Sequence, residues 1–147
     1  MKKNTGFSIV AIVLIALVGL TACERKLSGA HRTAVLAFSE AATDNLFAGL
    51  AANDYATFSR DFDVDLQEDM PATRFAAWKQ DVDSKLGNYL SRQVDRVSQE
   101  DEFYIVVYQV KFEQQESVTV EVAFHVKKPH PIAHLSFDSQ KLRWSSA

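Results

Sequence analysis

The chain has 147 residues, 47% of them hydrophobic, and a formal net charge of -3 at pH 7. This length suits a single domain with a sizeable core. The mild acidity, together with the lack of a Lys/Arg stripe with interleaved aromatic residues, argues against a nucleic-acid partner. With 10 Phe, 4 Tyr and 2 Trp residues, the chain carries enough apolar surface to exclude a disordered stalk.

The N-terminus has the anatomy of a secretory signal. Lys2 and Lys3 supply the positive start, and an apolar run of about fourteen residues follows, which is short of the roughly 20 residues of a spanning helix. The segment Leu20-Thr21-Ala22-Cys23 resembles the lipobox of bacterial lipoproteins. The resemblance implies cleavage after residue 22 and a lipid-modified Cys23 that anchors the protein stably through several acyl chains. The alternative is an uncleaved anchor helix in which Cys23 is incidental.

We therefore expect a signal peptide at 1–22, a lipidated tether at 23–30 and one domain at 31–147. Cys23 is the only cysteine, so the exported domain has no internal disulfide and depends on its core for stability. Glu24, rather than aspartate, follows the cysteine. By resemblance to lipoproteins of bacteria with two membranes, this favours the periplasmic face of the outer membrane.

The first half of the domain has helical periodicity and predicts about three helices. The first spans about His31 to Ala52. Asp54 can cap a shorter second helix that includes Tyr55. An acidic, irregular or helical link from Asp61 to Asp69 follows. Pro71 then opens a third helix that Gly87 ends.

After Gly87 the period changes to two, which predicts four antiparallel strands. They cover 89–97, 103–112, 118–126 and 132–138, with a polar turn at 98–102 after the first and Leu142 and Trp144 as an extension of the last. Helices first and strands last indicate an α+β fold. We expect the helices to pack on a curved, four-stranded meander.

Several segments resemble an uncharacterised bacterial and archaeal family within the nuclear transport factor 2-like superfamily. They are Gly49 to Ser59, Lys85-Leu86-Gly87, Tyr108 to Phe112 and Ile132 to Leu142. The resemblance implies an α+β cone with a pocket at its open end. It leaves the function open, because this fold carries both enzymes and binding domains.

Candidate pocket residues are Asp54, Tyr55, Trp78, Tyr104 and Tyr108. An isomerase or dehydratase of this fold would pair a carboxylate base with a tyrosine or acid as oxyanion donor. The candidates for such chemistry are Asp54 with Tyr55, or Tyr104 and Tyr108. The simpler interpretation is that Asp54 caps a helix and that the tyrosines pack in the core. No residue is assigned a catalytic role.

Other chemistries have weaker signals. His125, His130 and His134 are spaced by five and four, but no evident cysteine or carboxylate completes a metal site, so we expect ordinary surface or rim histidines and no cofactor. The acidic run starting at Asp61 departs from a calcium loop, because Leu66 replaces its turn glycine. Hydrolase and nucleotide-binding motifs are missing from the sequence.

The favoured hypothesis is a membrane-anchored, non-catalytic module that binds a small apolar ligand or an envelope protein. An acid–base enzyme using the same pocket and an assembly protein that dimerises through its sheet are the alternatives. Residues on both faces of 103–112 are apolar, with Phe103, Ile105 and Val107 on the second face. A partner protein, a second copy of the chain or the segment around Trp144 could cover that face.

Overall fold

A computed structural model describes residues 24–143, in which helices are followed by a five-stranded antiparallel sheet. The lipobox, Cys23 and Trp144 lie outside these residues. The helices are α1 (Gly29–Ala52), α2 (Tyr55–Phe58), α3 (Val64–Asp69), α4 (Ala72–Leu86) and α5 (Gln140–Arg143). The strands are β1 (Arg25–Lys26), β2 (Tyr89–Glu100), β3 (Phe103–Phe112), β4 (Gln115–His125) and β5 (Ile132–Asp138). The expected α+β class with an antiparallel sheet is confirmed.

Local signals explain several helix ends. Asn53 stops α1 in the left-handed conformation, at φ 54°, and its N–H bonds to the carbonyl of Gly49. Asp63 caps α3 by accepting a hydrogen bond from the N–H of Leu66 at 2.8 Å. Gly87, at φ 73°, ends α4, so the expected limits of this helix are met to within a residue.

The sheet has the order β1-β2-β3-β4-β5, and every neighbouring pair is antiparallel. Its helix-facing side carries alternate residues of β3 and β4, which are almost fully buried and form the core with α1, α2 and α4. From β3 and β4 these residues are Val106, Tyr108, Val110, Phe112, Val118, Val120, Val122 and Phe124. The period of two predicted from the sequence therefore separates the helix-facing residues from the residues on the opposite face of the sheet.

The strand boundaries differ from expectation in several places, and β4 begins at Gln115 instead of the expected residue 118. β2 continues through Glu100, because its end pairs with Phe103 of β3, and the turn narrows to Asp101 and Glu102. Residues Arg25–Lys26, expected in the tether, add a short fifth strand to the four predicted. Leu142 lies in helix α5 and does not extend β5, so that expectation was wrong.

The opposite face of the sheet is partly covered. Val107 and Ala123 are only 4% and 6% exposed although neither belongs to the helix-facing core. Phe103 and Ile105 on the same face are half-buried. The apolar second face expected for β3 is therefore present, and its centre is the most deeply buried part.

Candidate functional site

Tyr108 lies in a polar network between α1 and the sheet. Its hydroxyl donates a hydrogen bond to Oε1 of Glu40 at 2.7 Å and lies 3.1 Å from Oγ1 of Thr43. The Arg92 guanidinium contacts the other oxygen of Glu40 at 3.2 Å and Oδ1 of Asp44 at 2.7 Å. The network therefore joins one helix to two strands of the sheet.

Burial governs the electrostatics of this network. It raises the pKa of Tyr108, and the neighbouring Glu40 carboxylate raises it further, since the ionised phenol would be a second negative charge. For Arg92, burial opposes the charge, but the hydrogen bond to Asp44 and the charges of Glu40 and Asp44 outweigh it and raise the pKa. Tyr108 is thus held as a neutral phenol beside a permanent cation.

Tyr108 is fully buried and none of the described cavities includes it. The ring of Tyr108 also lies 5.5 Å below the Arg92 guanidinium, a cation–π distance. Its hydroxyl is occupied by Glu40 and Thr43. This arrangement favours a packing role for Tyr108 over the role of oxyanion donor.

Asp54 and Tyr55 organise the short helix α2. Oδ1 of Asp54 accepts hydrogen bonds from the N–H groups of Ala56 and Thr57 at 3.0 and 3.3 Å, which is the N-cap arrangement. These bonds, with the Thr57 hydroxyl at 2.6 Å, lower the pKa of Asp54. The Tyr55 hydroxyl donates to the carbonyl of Met70 at 2.9 Å. Both side chains hold local structure.

Trp78 belongs to an aromatic cluster on the helix side of the sheet. Its ring centroid lies 4.9 Å from that of Phe137 and 5.9 Å from that of Phe58. It also lines a depression of about 240 Å³ with Met70, Asp81, Leu135, Phe137 and Leu142. This depression is small for an organic ligand, since ligand pockets measure about 300–1,000 Å³.

Tyr104 lines the largest of the described cavities, an open cleft of about 670 Å³ that we term the N-terminal cleft. Its apolar lining consists of Leu27, Ala34, Val35, Ala37, Phe38 and Tyr104. Its polar lining consists of Arg25, His31, Gln99, Lys128 and His130. Of the five candidate pocket residues, Tyr104 alone lies in this cleft.

Pairing of β1 with β2 forms one wall of the N-terminal cleft. Arg25 and Gln99 are partners in the ladder, and an Arg25 Nη atom donates to the side-chain oxygen of Gln99 at 2.8 Å. The N–H of Leu27 donates to the carbonyl of Val97 at 2.8 Å, which carries the chain from β1 towards α1. Leu27 itself is 6% exposed, so the start of the domain is packed into the core.

His130 forms the opposite wall with Phe38 of α1. The two rings are stacked, with centroids 4.0 Å apart and an angle of 13° between their planes. Nδ1 of His130 lies 2.9 Å from the carbonyl oxygen of His125, so that nitrogen carries the donated proton. The stacked pair also borders a second depression of about 320 Å³. The stacked pair therefore lies between this depression and the N-terminal cleft.

Sequence reasoning missed four basic side chains of the cleft. Arg25 is expected in the tether, His130 is expected as an ordinary surface or rim histidine with no ligand role, and His31 and Lys128 are not among the candidate residues. One signal was available for Arg25: the apolar Leu27 two residues later fits the alternation of a strand. Lys128 and His130 reach the cleft through a loop whose course the sequence did not indicate.

His125 and the acidic residues Asp61 and Asp63 are engaged in contacts outside the cleft. His125 Nε2 lies 2.8 Å from Oδ2 of Asp63, while Oδ2 of Asp61 accepts a hydrogen bond from Asn45 at 2.8 Å. In residues 24–143, no group of three or more histidine, cysteine, aspartate or glutamate side chains is placed to hold a metal ion. The same residues include no helix long and apolar enough to cross a membrane.

No protein family, curated protein or solved structure matches the chain.

Proposed function

We propose that the chain is a bacterial lipoprotein whose exported domain is a non-catalytic binding module, with the N-terminal cleft as its ligand site. The cleft is the observation that carries this proposal. Its volume of about 670 Å³ lies within the range of ligand pockets, about 300–1,000 Å³. It also combines apolar walls with a few polar side chains, as such pockets do. The cleft would be the open end of the nuclear transport factor 2-like cone that the sequence resembles.

The anchor follows from the sequence of residues 1–23. The charged start, the short apolar run and the lipobox support a lipid on Cys23, and Glu24 after the cysteine favours the periplasmic face of the outer membrane. Arg25 follows Cys23 by two residues, a length that spans at most about 7 Å. The cleft would therefore lie beside the lipidated residue, at the end of the domain nearest the membrane.

The lining of the cleft supports binding over acid–base catalysis. None of the residues that line it is an aspartate or a glutamate. Neither of the two residue pairs considered from the sequence, Asp54 with Tyr55 and Tyr104 with Tyr108, is assembled there, since Asp54 caps α2 and Tyr108 is buried in the core. The carboxylate base of an isomerase of this fold therefore has no counterpart in the cleft.

Native mass spectrometry of residues 24–147, purified gently from the producing cell, tests the binding role. We expect an additional organic mass that is released on denaturation. Ala34→Trp places an indole in the cleft and should abolish the additional mass. Ala48→Trp is the matched control, because Ala48 is also an exposed alanine of α1 but lies outside the cleft. Equal retention of the mass by both variants would refute the assignment of the site.

The anchor is tested separately. Cys23→Ser in the full chain should abolish incorporation of radiolabelled palmitate and leave the precursor unprocessed, because serine lacks the thiol that accepts the lipid. The matched control is Ser28→Cys, which adds a thiol outside the lipobox and should leave labelling unchanged. Normal processing and labelling of Cys23→Ser would exclude the lipoprotein assignment without affecting the binding test.

A further inference from the structure

The charged groups of the N-terminal cleft are of one sign. Arg25 and Lys128 are exposed cationic side chains, and the other polar residues of the lining, His31, Gln99 and His130, bring no negative charge. The chain as a whole has a net charge of -3, so the cleft reverses the overall sign of the protein. A basic pocket on an acidic protein selects for anionic ligands.

In the described part of the chain, the acidic side chains of a neighbouring depression form no ion pair with the cations of the cleft. Glu24 and Asp101 line a neighbouring depression, which shares Arg25 and Gln99 with the cleft. The Glu24 carboxylate is directed to another cation, with Oε1 lying 3.0 Å from Nε of Arg96. Within residues 24–143, neither Arg25 nor Lys128 forms an ion pair. Their charges are therefore available to a ligand.

The apolar part of the lining is suited to an apolar portion of the ligand. Phe38 and Tyr104 present aromatic rings whose centroids lie 6.0 Å apart, and Leu27 and Val35 are buried beside them. Burying apolar ligand surface against these side chains is favourable by about 25 cal/mol per Å². A small hydrophilic anion such as inorganic phosphate would leave this part of the cleft unused.

We propose that the ligand of the N-terminal cleft is an amphipathic organic anion, with its carboxylate or sulfonate group held by Arg25 and Lys128 and its apolar body against Phe38 and Tyr104. This inference rests on the proposed binding function and adds the chemical class of the ligand. Arg25 is the stronger determinant, because its planar guanidinium can donate two parallel hydrogen bonds to a carboxylate. Gln99 orients that guanidinium through its side-chain oxygen.

Calorimetric titration with three ligands of matched shape tests the inference. The ligands are 2-naphthoate, 2-naphthylmethanol and 2-naphthylmethylammonium, and the protein is the full chain in phosphatidylcholine nanodiscs, with empty nanodiscs as the blank. We expect 2-naphthoate to bind about tenfold or more tightly than the alcohol, and the ammonium ion to bind most weakly. Raised salt should weaken the binding of 2-naphthoate alone among the three, since exposed charges are screened.

Substitutions assign the effect to the two cations. Arg25→Gln with Lys128→Gln should weaken 2-naphthoate about tenfold or more and leave the alcohol unchanged. Lys127→Gln removes the same charge from a neighbouring exposed lysine that does not line the cleft, and should change neither affinity by more than about twofold. Since all three side chains are exposed, the variants should fold normally.

The outcomes separate the inference from the proposed function. Equal affinity for the naphthoate and the alcohol, both lost in Ala34→Trp, would overturn the anionic ligand class and leave the cleft as a binding site. Binding of 2-naphthoate that the double substitution does not weaken would also overturn the inference. Failure of all three ligands to bind would overturn both the inference and the use of this cleft.

Discussion

The hydroxyl of Tyr108 lies 2.7 Å from Oε1 of Glu40, although the two residues are 68 positions apart in the chain. This bond crosses from the centre of β3 to the middle of α1. Ser39 and Thr43, on the same side of α1, are fully buried, so the helix meets the sheet partly through polar residues. A part-buried hydrogen bond of this kind restricts the rotation of the helix more sharply than apolar contact, because it depends on direction.

Tyr108→Phe should lower the free energy of unfolding by about 1 kcal/mol, since it removes one buried hydroxyl and preserves the packed ring. Denaturant titration measures this change. Tyr104→Phe is the control, because no hydrogen bond is formed by the Tyr104 hydroxyl within the described residues, and we expect a change within about 0.5 kcal/mol. Equal effects of the two substitutions would show that the bond to Glu40 does not contribute to stability.

The same bond predicts a dependence on alkaline pH. Burial raises the pKa of Tyr108 in the folded protein above its ordinary value of 10.0. As pH rises past the ordinary value, the unfolded chain loses the phenolic proton first. The folded state then loses stability until pH reaches the folded-state pKa of Tyr108. The stability difference between the wild type and Tyr108→Phe should therefore narrow between about pH 9 and about pH 11. A constant difference over that range would contradict the shift.

Arg92 should contribute to stability through packing as well as charge. Its guanidinium lies 5.7 Å from the ring centroid of Phe47 and 5.5 Å from that of Tyr108. Arg92→Met keeps a long apolar side chain but loses the cation, and we expect a loss of about 1–2 kcal/mol in denaturant titrations. Asp44→Asn removes the more exposed partner and should cost less than about 1 kcal/mol. A larger effect of Asp44→Asn would place the energy in the surface ion pair instead.

The sequence predicted the elements whose signals are local. β3 has the predicted limits Phe103–Phe112, since every second residue of that strand is apolar. α4 begins and ends at its predicted proline and glycine within a residue. β1 was missed because the alternation of Arg25 and Leu27 is its only local signal, which is too short to mark a strand, and because its partner Gln99 lies 74 positions from Arg25.

The candidate site was harder to predict for the same reason. The N-terminal cleft takes its lining from β1, α1, the β2–β3 hairpin and the loop before β5, and no local pattern links these segments. Large aromatic side chains were the features that sequence reasoning selected. Most of them are core residues, because a tyrosine or tryptophan contributes to the core as readily as to a pocket. Tyr104 is the exception, and it lies where β3 begins.

Gly49 is predicted to be intolerant of substitution despite its position inside a helix. Helix propensity alone would make Gly49→Ala stabilising by about 1 kcal/mol. However, a Cβ atom at this position would lie 2.5 Å from Cα of Phe58 and 2.8 Å from the carbonyl oxygen of Asp54, both of them backbone atoms. We expect a net loss of about 1–3 kcal/mol in the free energy of unfolding, since α2 must move away from α1.

The sign of the Gly49→Ala effect distinguishes these two expectations in a single thermal melt. Ala48→Gly, at the exposed neighbouring position, is the control for helix propensity and should lower stability by about 1 kcal/mol. A melting temperature of Gly49→Ala at or above that of the wild type would show that α2 does not pack this closely on α1.

Asp54 provides a prediction at acid pH. Its hydrogen bonds to Thr57 and Ala56 lower the folded-state pKa below the ordinary value of 3.8, so the ionised cap stabilises the fold above that pH. The contribution is lost as pH falls through the folded-state pKa. Asp54→Asn retains a side-chain oxygen that can cap the helix but has no charge. Its melting temperature should be below that of the wild type at neutral pH and should approach it in acid.

Asp95→Asn is the control for the acid titration, because Asp95 is an exposed carboxylate on β2 and does not cap a helix. Its melting temperature should follow that of the wild type at every pH. If the difference between Asp54→Asn and the wild type stayed constant down to the acid range, the cap would act through its oxygen alone. The charge of Asp54 would then have no part in holding α2 against α1, and the junction would depend on the close contact at Gly49.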